Sequence, residues 1–184
     1  MKVAYADPPY LGCCKLYGHD HGTDGRCWDE VATHARLIDV LCRDYWDGWA
    51  LSLSSPSLRT LLALCPIDVR VAVWVKPFAV FKPNVNPAYA WEPVIWRGGR
   101  TKRGRAEPTV RDWMSCSITL EKGLTGAKPE AFVWWLFDLL GVQGNDTVTD
   151  LFPGTGVVGR VWEQYQRQYR LFDEVSSVQA MMSK

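Results

Sequence analysis

The sequence predicts an α/β fold, with a mainly parallel sheet of about six to seven strands and helices on both of its faces. Two observations predict this fold. Short apolar runs typical of buried strands alternate along the chain with segments of helical periodicity. The chain has 184 residues, 47% of them hydrophobic, which suffices for the core of one domain and leaves little room for a second. We therefore expect a single domain over residues 1–184.

Six segments have the composition of strands. Most are short, rich in β-branched or aromatic residues, and bordered by glycine, proline or polar residues. The predicted strands are residues 2–6, 49–53, 69–75, 90–96, 147–150 and 169–172.

Four segments are predicted to be helices, because their apolar residues recur every three or four positions. Asp29 is expected to cap the first helix, and Pro56 lies in the first turn of the second. Pro129 opens the third helix, which Gly141 ends. The fourth covers residues 157–166 and directly follows a glycine turn.

Composition and charge exclude several classes of protein. The chain has 21 basic and 20 acidic side chains, a net charge of +1, so it is not a uniformly basic nucleic-acid coat. It has no run of 18 apolar residues and begins with a strand-like segment, so we expect neither a membrane span nor a signal peptide. Six cysteines without disulfide spacing indicate reduced thiols. These features predict an intracellular protein.

A first motif, Asp7-Pro8-Pro9-Tyr10, directly follows the first predicted strand. α/β sheets bind their ligands at this end of the strands. The Asp7 carboxylate and the Pro8 carbonyl could accept hydrogen bonds from the exocyclic amine of a nucleobase, and Tyr10 could stack on a base flipped out of a duplex. The alternative is a simple turn in which the prolines only end the strand.

A second motif, Asp150 to Gly156, lies between a predicted strand and the fourth helix. Its glycines let the backbone approach a ligand closely, and the following helix N-terminus adds partial positive charge. A Walker A loop is excluded, because no Gly-Lys-Ser/Thr follows. The spacing of Gly154, Gly156 and Gly159 fits a dinucleotide fingerprint, but Asp150 and the short remaining chain argue against a nicotinamide fold. A plain strand–turn–helix connection is the alternative.

Together these residues resemble the S-adenosylmethionine-dependent DNA amino-methyltransferases of the permuted (β) motif order. That family's catalytic motif is Asp/Asn/Ser-Pro-Pro-Tyr/Phe/Trp, and its cofactor motif is an acidic residue followed by Gly-x-Gly. Residues 91–95 are similar to the family's strand beside the site, and residues 127–129 to the segment that opens the helix before the cofactor strand. The chain looks closest to short stand-alone methylases of phages or bacteria.

The resemblance implies a Rossmann-like class I methyltransferase fold with a circularly permuted motif order. It implies transfer of a methyl group from S-adenosylmethionine to DNA, leaving S-adenosylhomocysteine and requiring no metal. A tetrad that begins with Asp favours the N6 amine of adenine. Cytosine N4, an RNA base, or an idle DNA-binding relative remain alternatives. The expected location is the cytoplasm of a bacterium or of a phage-infected cell.

The resemblance also implies roles for individual residues. The catalytic tetrad is Asp7, Pro8, Pro9 and Tyr10, of which the first two hold the amine and Tyr10 stacks on the base. The residues expected to hold the cofactor are Asp150, Phe152, Gly154, Gly156, Lys128 and Asp173. Lys128 would touch the methionine part. Asp173, placed after the last predicted strand, would hold the ribose, with Glu174 as the alternative. The family usually continues into a further strand at the cofactor's adenine, for which little chain remains.

A basic segment lies between the two motifs, with six basic residues and one acidic residue over 97–111. Arginine and lysine there are expected to contact DNA phosphates, and 97–125 is a short candidate target-recognition insertion. The predicted contacts are Arg97, Arg100, Lys102, Arg103 and Arg105. A solvated loop is the alternative. The small insertion predicts recognition of only a short site, or help from a second subunit in a homodimer. The cysteines and histidines of residues 13–27 lack zinc-site spacing, so no metal is expected.

Overall fold

The computed structural model describes residues 1–13, 28–78, 83–101, 109–119 and 126–182, with side chains in the last helix up to residue 169. The strands in these ranges are β1 (Lys2–Ala6), β2 (Gly48–Ser52), β3 (Arg70–Val75), β4 (Trp91–Gly98), β5 (Trp113–Ser115) and β6 (Thr147–Asp150). The helices are α1 (Val31–Asp44), α2 (Leu58–Leu62), α3 (Glu130–Leu140) and α4 (Val157–Met182). A 3₁₀ turn, Ser55–Ser57, leads into α2.

The strands form one six-stranded sheet in the order β5-β3-β4-β2-β1-β6. β1 pairs in parallel with β2 and with β6, and β3 pairs in parallel with β5. β4 is antiparallel to both of its neighbours, β2 and β3. Five of the six strands described therefore share one direction, which confirms the predicted mainly parallel sheet and its strand number.

The reversed strand β4 determines which residues reach each edge of the sheet. Its first residue, Trp91, pairs with Val75 at the carboxyl-terminal edge, which is the edge where β1 ends. Its last residue, Gly98, pairs with Gly48 at the opposite edge. The beginning of β4 therefore lies on the side of the Asp7 tetrad, and the basic segment begins on the far side.

Helices cover both faces of the sheet, as predicted. Successive side chains of β1 alternate between two cores: Ala4 and Ala6 pack under α1 and α2, whereas Val3 and Tyr5 pack under α3 and α4. The core on the α3 side contains a cluster of aromatic rings, in which Phe132 contacts both Tyr5 and Trp74. Full burial of one such ring stabilises the fold by about 1.5–3 kcal/mol. Because its side chains enter both cores, β1 is packed on both faces.

The ends of α1 and α3 show one wrong and one correct prediction. Asp29 does not cap α1: the N-cap is Glu30, without a side-chain hydrogen bond, and Asp29 accepts instead from the Gly12 N–H at 2.7 Å. That contact ties the segment after the tetrad to the start of α1. Gly141 ends α3 as predicted, because its φ of 63° is left-handed and its N–H bonds to the Asp138 carbonyl.

The predicted strand over residues 169–172 is wrong, because α4 continues without interruption to Met182. After Gly159 the segment has no glycine or proline that would end a helix. Trp162 and Tyr165 also pack against Phe137 of α3. Asp173 therefore lies in a helix rather than after a strand. Its predicted contact with the ribose depended on a position after a strand, so that reason no longer holds. No helix within the described ranges is long and apolar enough to cross a bilayer.

Candidate active site

The two sequence motifs meet at the carboxyl-terminal edge of the sheet. β1 and β6 are parallel neighbours with Tyr5 opposite Asp150, and the Leu151 N–H donates to the Tyr5 carbonyl at 3.0 Å. Asp7 follows Tyr5 by two residues, so the tetrad and the start of the glycine turn leave the sheet side by side. The predicted position of both motifs is confirmed.

Five polar side chains from four segments of the chain gather at this edge, and we call them the charge cluster. They are Asp7 and Tyr10 after β1, Lys76 after β3, Glu92 in β4, and Lys128 before α3. Two carboxylates, two ammonium groups and one phenol give the cluster no net charge when every acid and amine is ionised.

Lys128 lies at the centre of the charge cluster, with only 5% of its side chain exposed. Its Nζ donates to Asp7 Oδ1 at 2.9 Å and to the Tyr10 hydroxyl at 3.1 Å, and it lies 2.7 Å from Asp7 Oδ2. Burial disfavours the ammonium, but the carboxylates of Asp7 and Glu92 outweigh burial and raise the pKa of Lys128 well above its usual value. Lys128 is therefore a fixed positive charge against Asp7.

Asp7 is held on both carboxylate oxygens. Oδ1 lies within hydrogen-bond distance of both Tyr10 and Lys128, and Oδ2 contacts Lys128. Burial raises the pKa of Asp7 above its usual value, and the nearby Glu92 carboxylate adds to the rise, although Lys128 opposes it. Asp7 is thus a more basic carboxylate than one in water, with its orientation fixed by two donors.

Tyr10 contributes its hydroxyl to the cluster rather than an open ring. The hydroxyl lies 3.1 Å from Asp7 Oδ1 and 3.0 Å from Glu92 Oε2, so it can donate to either carboxylate while it accepts from Lys128. The side chain is buried. Stacking of Tyr10 on a target base stays a prediction, and what the structure adds is a hydrogen-bonding role for the phenol.

Glu92 and its partner Lys76 belong to the site although the sequence assigned neither a role; it only placed residues 91–95 beside the site by resemblance. Glu92 accepts from Lys76 and from Tyr10, and it lies 3.5 Å from the Lys128 ammonium. Burial raises the pKa of Glu92, but Lys128 and Lys76 outweigh it and lower the pKa below its usual value. One signal could have revealed it: Glu92 is a single charge inside the apolar strand that runs from Trp91 to Trp96.

The glycine turn between β6 and α4 has the properties of a ligand-binding loop. Gly154 and Gly156 have φ values of 44° and 71°, which favour glycine. A Cβ at either position would meet no atom beyond its chain neighbours closer than 3.6 Å, so there is open space directly beside both glycines. Burial raises the pKa of Asp150 to about 6, although its carboxylate accepts the Phe152 N–H at 3.1 Å. Phe152 itself packs edge-on against Trp28.

The structure does not bring the predicted phosphate contacts Arg97 and Arg100 to the tetrad. Arg97 lies near the far end of β4, where its Nε bonds both oxygens of Asp68 at 2.9 Å. Arg100 binds Asp146 and donates to the Gly141 carbonyl at 3.0 Å. These ion pairs give both arginines structural roles at the opposite edge of the sheet. Lys102, Arg103 and Arg105 lie outside the described residues.

Asp146 anchors that far edge. Its side chain is only 1% exposed, and it accepts hydrogen bonds from Arg100, from the Gln143 N–H and from the amino group of Met1. Burial alone would raise the pKa of Asp146, but these donors outweigh burial and lower it to about 2. Within the described ranges, no three His, Cys, Asp or Glu side chains gather as a metal site would require.

Comparison with solved structures shows which fold this is. The chain is similar to M1.HpyAVI in complex with S-adenosylmethionine, with a TM-score of 0.57 and 15% identity over 90% of this chain and 78% of the other. The chain has a Rossmann-like methyltransferase fold. M1.HpyAVI in a second structure matches with a TM-score of 0.52 and 16% identity, over 89% of this chain and 76% of the other.

A third similar structure is TTHA0409 from Thermus thermophilus, which is assigned as a DNA modification methylase. Its TM-score is 0.54 and its identity 16%, over 90% of this chain and 77% of the other. No protein-family model matches the sequence, and a search of curated proteins finds no match. The methyltransferase fold predicted from the two motifs is confirmed, and the permuted motif order stays a prediction.

Proposed function

We propose that this protein is a DNA methyltransferase that transfers a methyl group from S-adenosylmethionine to the exocyclic N6 amine of adenine. The observation that carries the proposal is the position of Asp7, a partly buried carboxylate at the carboxyl-terminal edge of the sheet, beside the glycine turn. The similar structures support it, because M1.HpyAVI binds S-adenosylmethionine and TTHA0409 is assigned as a DNA modification methylase.

Asp7 can accept a hydrogen bond from the target amine without losing its present partners. Each carboxylate oxygen has about two acceptor positions, and Oδ1 already has Tyr10 and Lys128 within reach. Oδ2 contacts Lys128 and keeps one position for an N–H of the amine. The Pro8 carbonyl, next in the chain, is the proposed acceptor for the second N–H.

These two acceptors would activate the amine. The lone pair of an exocyclic amine is delocalised into the base, and holding both N–H groups draws the nitrogen toward a tetrahedral, nucleophilic state. As the amine gains positive charge in the transition state, the fixed Asp7 carboxylate stabilises it. The methylated nitrogen then releases one proton to water, which leaves the neutral methylamino group. Pro9 and Tyr10 keep the tetrad in place, and the fixed geometry supplies alignment.

The glycine turn is the proposed cofactor site. S-adenosylmethionine, when bound, supplies a methyl group already activated by its sulfonium, and S-adenosylhomocysteine is the product. The residues proposed to hold it are Asp150, Phe152, Gly154 and Gly156. The open space beside the turn and the carboxylate of Asp150 fit a ligand with hydroxyl and cationic groups. Lys128 remains the proposed contact for the methionine end, although in this structure its ammonium lies on Asp7.

The choice of base depends on the tetrad. An Asp at its first position favours adenine N6, and cytosine N4 or an RNA base would use the same acceptors. The partner is therefore proposed to be DNA, with Lys102, Arg103 and Arg105 as phosphate contacts. A homodimer stays a prediction.

The test is the identity of the product. Purified protein is incubated with unmethylated genomic DNA and S-adenosylmethionine, and the DNA is digested to nucleosides and analysed by mass spectrometry. We expect N6-methyladenine. N4-methylcytosine would keep the proposed chemistry and change the base. The absence of any methylated nucleoside in DNA, from protein that binds S-adenosylhomocysteine in calorimetry, would contradict the proposal.

A further inference from the structure

Glu92 is a buried charge that the proposed methyl transfer does not yet use. It is the second residue of β4, followed by Pro93 and Val94, and only 15% of its side chain is exposed. Burying a carboxylate is costly unless it is paired. Glu92 is paired with an ammonium on each side, Lys76 and Lys128, and with the Tyr10 hydroxyl.

The position of Glu92 bears directly on Asp7. The Lys128 ammonium lies between the two carboxylates, 2.7 Å from Asp7 Oδ2 and 3.5 Å from Glu92 Oε2. The Tyr10 hydroxyl lies between the same two groups. Lys128 and Tyr10, the two groups that orient Asp7, therefore also contact Glu92, and the single phenol proton serves one carboxylate at a time. Lys76 holds Glu92 in turn.

Charge balance gives Glu92 a second effect. A protonated Lys128 beside Asp7 opposes the positive charge that develops on a methylated amine. Glu92 offsets that ammonium, so the four charges of the cluster sum to zero. Without Glu92 the cluster would carry one net positive charge next to the reacting nitrogen, in a site where burial makes charge interactions stronger.

We propose that Glu92 is a positioning residue for methyl transfer, which it supports by holding Lys128 and Tyr10 against Asp7 and by balancing the Lys128 charge. This inference rests on the proposed function. Glu92 touches neither amine nor cofactor in this account and acts through its two neighbours.

The test is the single-turnover rate of methyl transfer in Glu92→Gln, a variant of nearly the same shape without the charge. We expect the rate to fall about 10- to 100-fold, as for a misplaced or electrostatically opposed reacting group. Affinity for S-adenosylhomocysteine should change less than about threefold. The matched control is Asp68→Asn, which removes a carboxylate paired with Arg97 at the far edge and should leave the rate unchanged.

Two further readouts separate positioning from a merely structural role. The negative charge of Glu92 raises the pKa of Asp7, whose other charged or titratable neighbours are Lys128, Tyr10, Tyr5 and Asp150. The acidic limb of the rate–pH profile should therefore move to lower pH in Glu92→Gln.

In a double-mutant cycle with Tyr10→Phe, the two rate losses should be clearly less than additive, because Glu92 acts partly through the Tyr10 hydroxyl.

The outcomes are distinguishable. Three results in an otherwise active protein would overturn the role of Glu92 and leave the proposed function standing. They are an unchanged rate in Glu92→Gln, an acidic limb of the rate–pH profile that does not move, and additive rate losses in the double-mutant cycle. An inactive wild type would contradict the proposed function itself. Should Glu92→Gln fail to fold, Glu92→Asp keeps the charge but shortens the reach to Lys128 and Tyr10, and we expect a smaller loss of rate in the same direction. An unchanged rate in that variant would also overturn the proposal.

Discussion

Asp150 has a pKa of about 6, raised by burial and by the charge of Asp7. A carboxylate that titrates there is partly protonated in mildly acidic solution and ionised above neutrality. If it accepts hydrogen bonds from a ribose or balances a cationic amine, the ionised form is the one that binds. The protonation of a single residue should therefore control cofactor affinity.

We predict that affinity for S-adenosylhomocysteine rises about tenfold between pH 5 and pH 7, as the Asp150 carboxylate ionises through its raised pKa. Isothermal titration calorimetry at a series of pH values measures this directly. Asp150→Asn should bind more weakly and without the step, whereas Asp68→Asn should keep it. A pH-independent affinity in the wild type would contradict the role given to Asp150.

Asp146 shows the opposite shift, with a pKa lowered to about 2 by its donors. Because its folded pKa lies below the value for an unfolded chain, its stabilising contribution is present above about pH 4 and is lost as the pH falls toward 2. The contribution is about 2 kcal/mol, from a shift of nearly two units. We predict that Asp146→Asn lowers the free energy of unfolding by about that amount at pH 6, and that urea denaturation shows the difference shrinking below pH 4. An undiminished difference at pH 2.5 would contradict this.

The turn between β6 and α4 illustrates how an element places a site. Gly156 needs a left-handed φ of 71°, whereas Gly159, three residues later, lies within α4 and has open space around it. The two glycines therefore form a matched pair for the same substitution. They differ in backbone conformation and in position relative to the proposed cofactor site.

We predict that Gly156→Ala destabilises the protein by about 1 kcal/mol, because a Cβ is strained at positive φ, and weakens binding of S-adenosylhomocysteine by fivefold or more. Gly159→Ala should stabilise by about 0.5–1 kcal/mol, because alanine favours a helix, and should leave binding unchanged. Thermal denaturation and calorimetry on both variants check this pair. Equal effects of the two substitutions on binding would contradict a ligand-binding turn.

At the scale of elements, much of the fold could be predicted from local sequence. Local patterns set five of the six predicted strands and the Pro129–Gly141 borders of α3, and the structure has each of these within a few residues. The predicted length of α4 is wrong: after Gly159 the chain has no glycine or proline that would end a helix, and packing of Trp162 and Tyr165 against α3 favours its continuation over a strand at residues 169–172. β5 has three residues, Trp113–Ser115, and forms only by pairing with β3, so it too escaped prediction.

At the scale of the whole molecule, the reversal of β4 redistributes charge between the two edges of the sheet. It carries Glu92 to the Asp7 edge and Arg97 to the opposite edge. The tetrad and the glycine turn could be found from sequence because each is contiguous. The charge cluster could not, because four separate segments form it and strand direction decides which of them meet.

We predict that Arg97→Gln leaves DNA affinity within about twofold of the wild type and leaves its salt dependence unchanged. The reason is that Arg97 is paired with Asp68 at the edge opposite the tetrad. A residue that contacts a phosphate would instead reduce the salt slope by about 1. Fluorescence anisotropy with a labelled duplex at several salt concentrations checks this. A reduced slope in Arg97→Gln would show that DNA reaches the far edge.

The most direct test of the whole account compares the single-turnover rate of methyl transfer to DNA in the wild type and in Asp7→Ala, with cofactor affinity measured in parallel. We predict a loss of rate of about 100- to 1,000-fold, because the acceptor for the amine and for its developing charge is gone. Affinity for S-adenosylhomocysteine should stay within about threefold. A rate within threefold of the wild type would contradict the central claim that Asp7 holds the reacting amine.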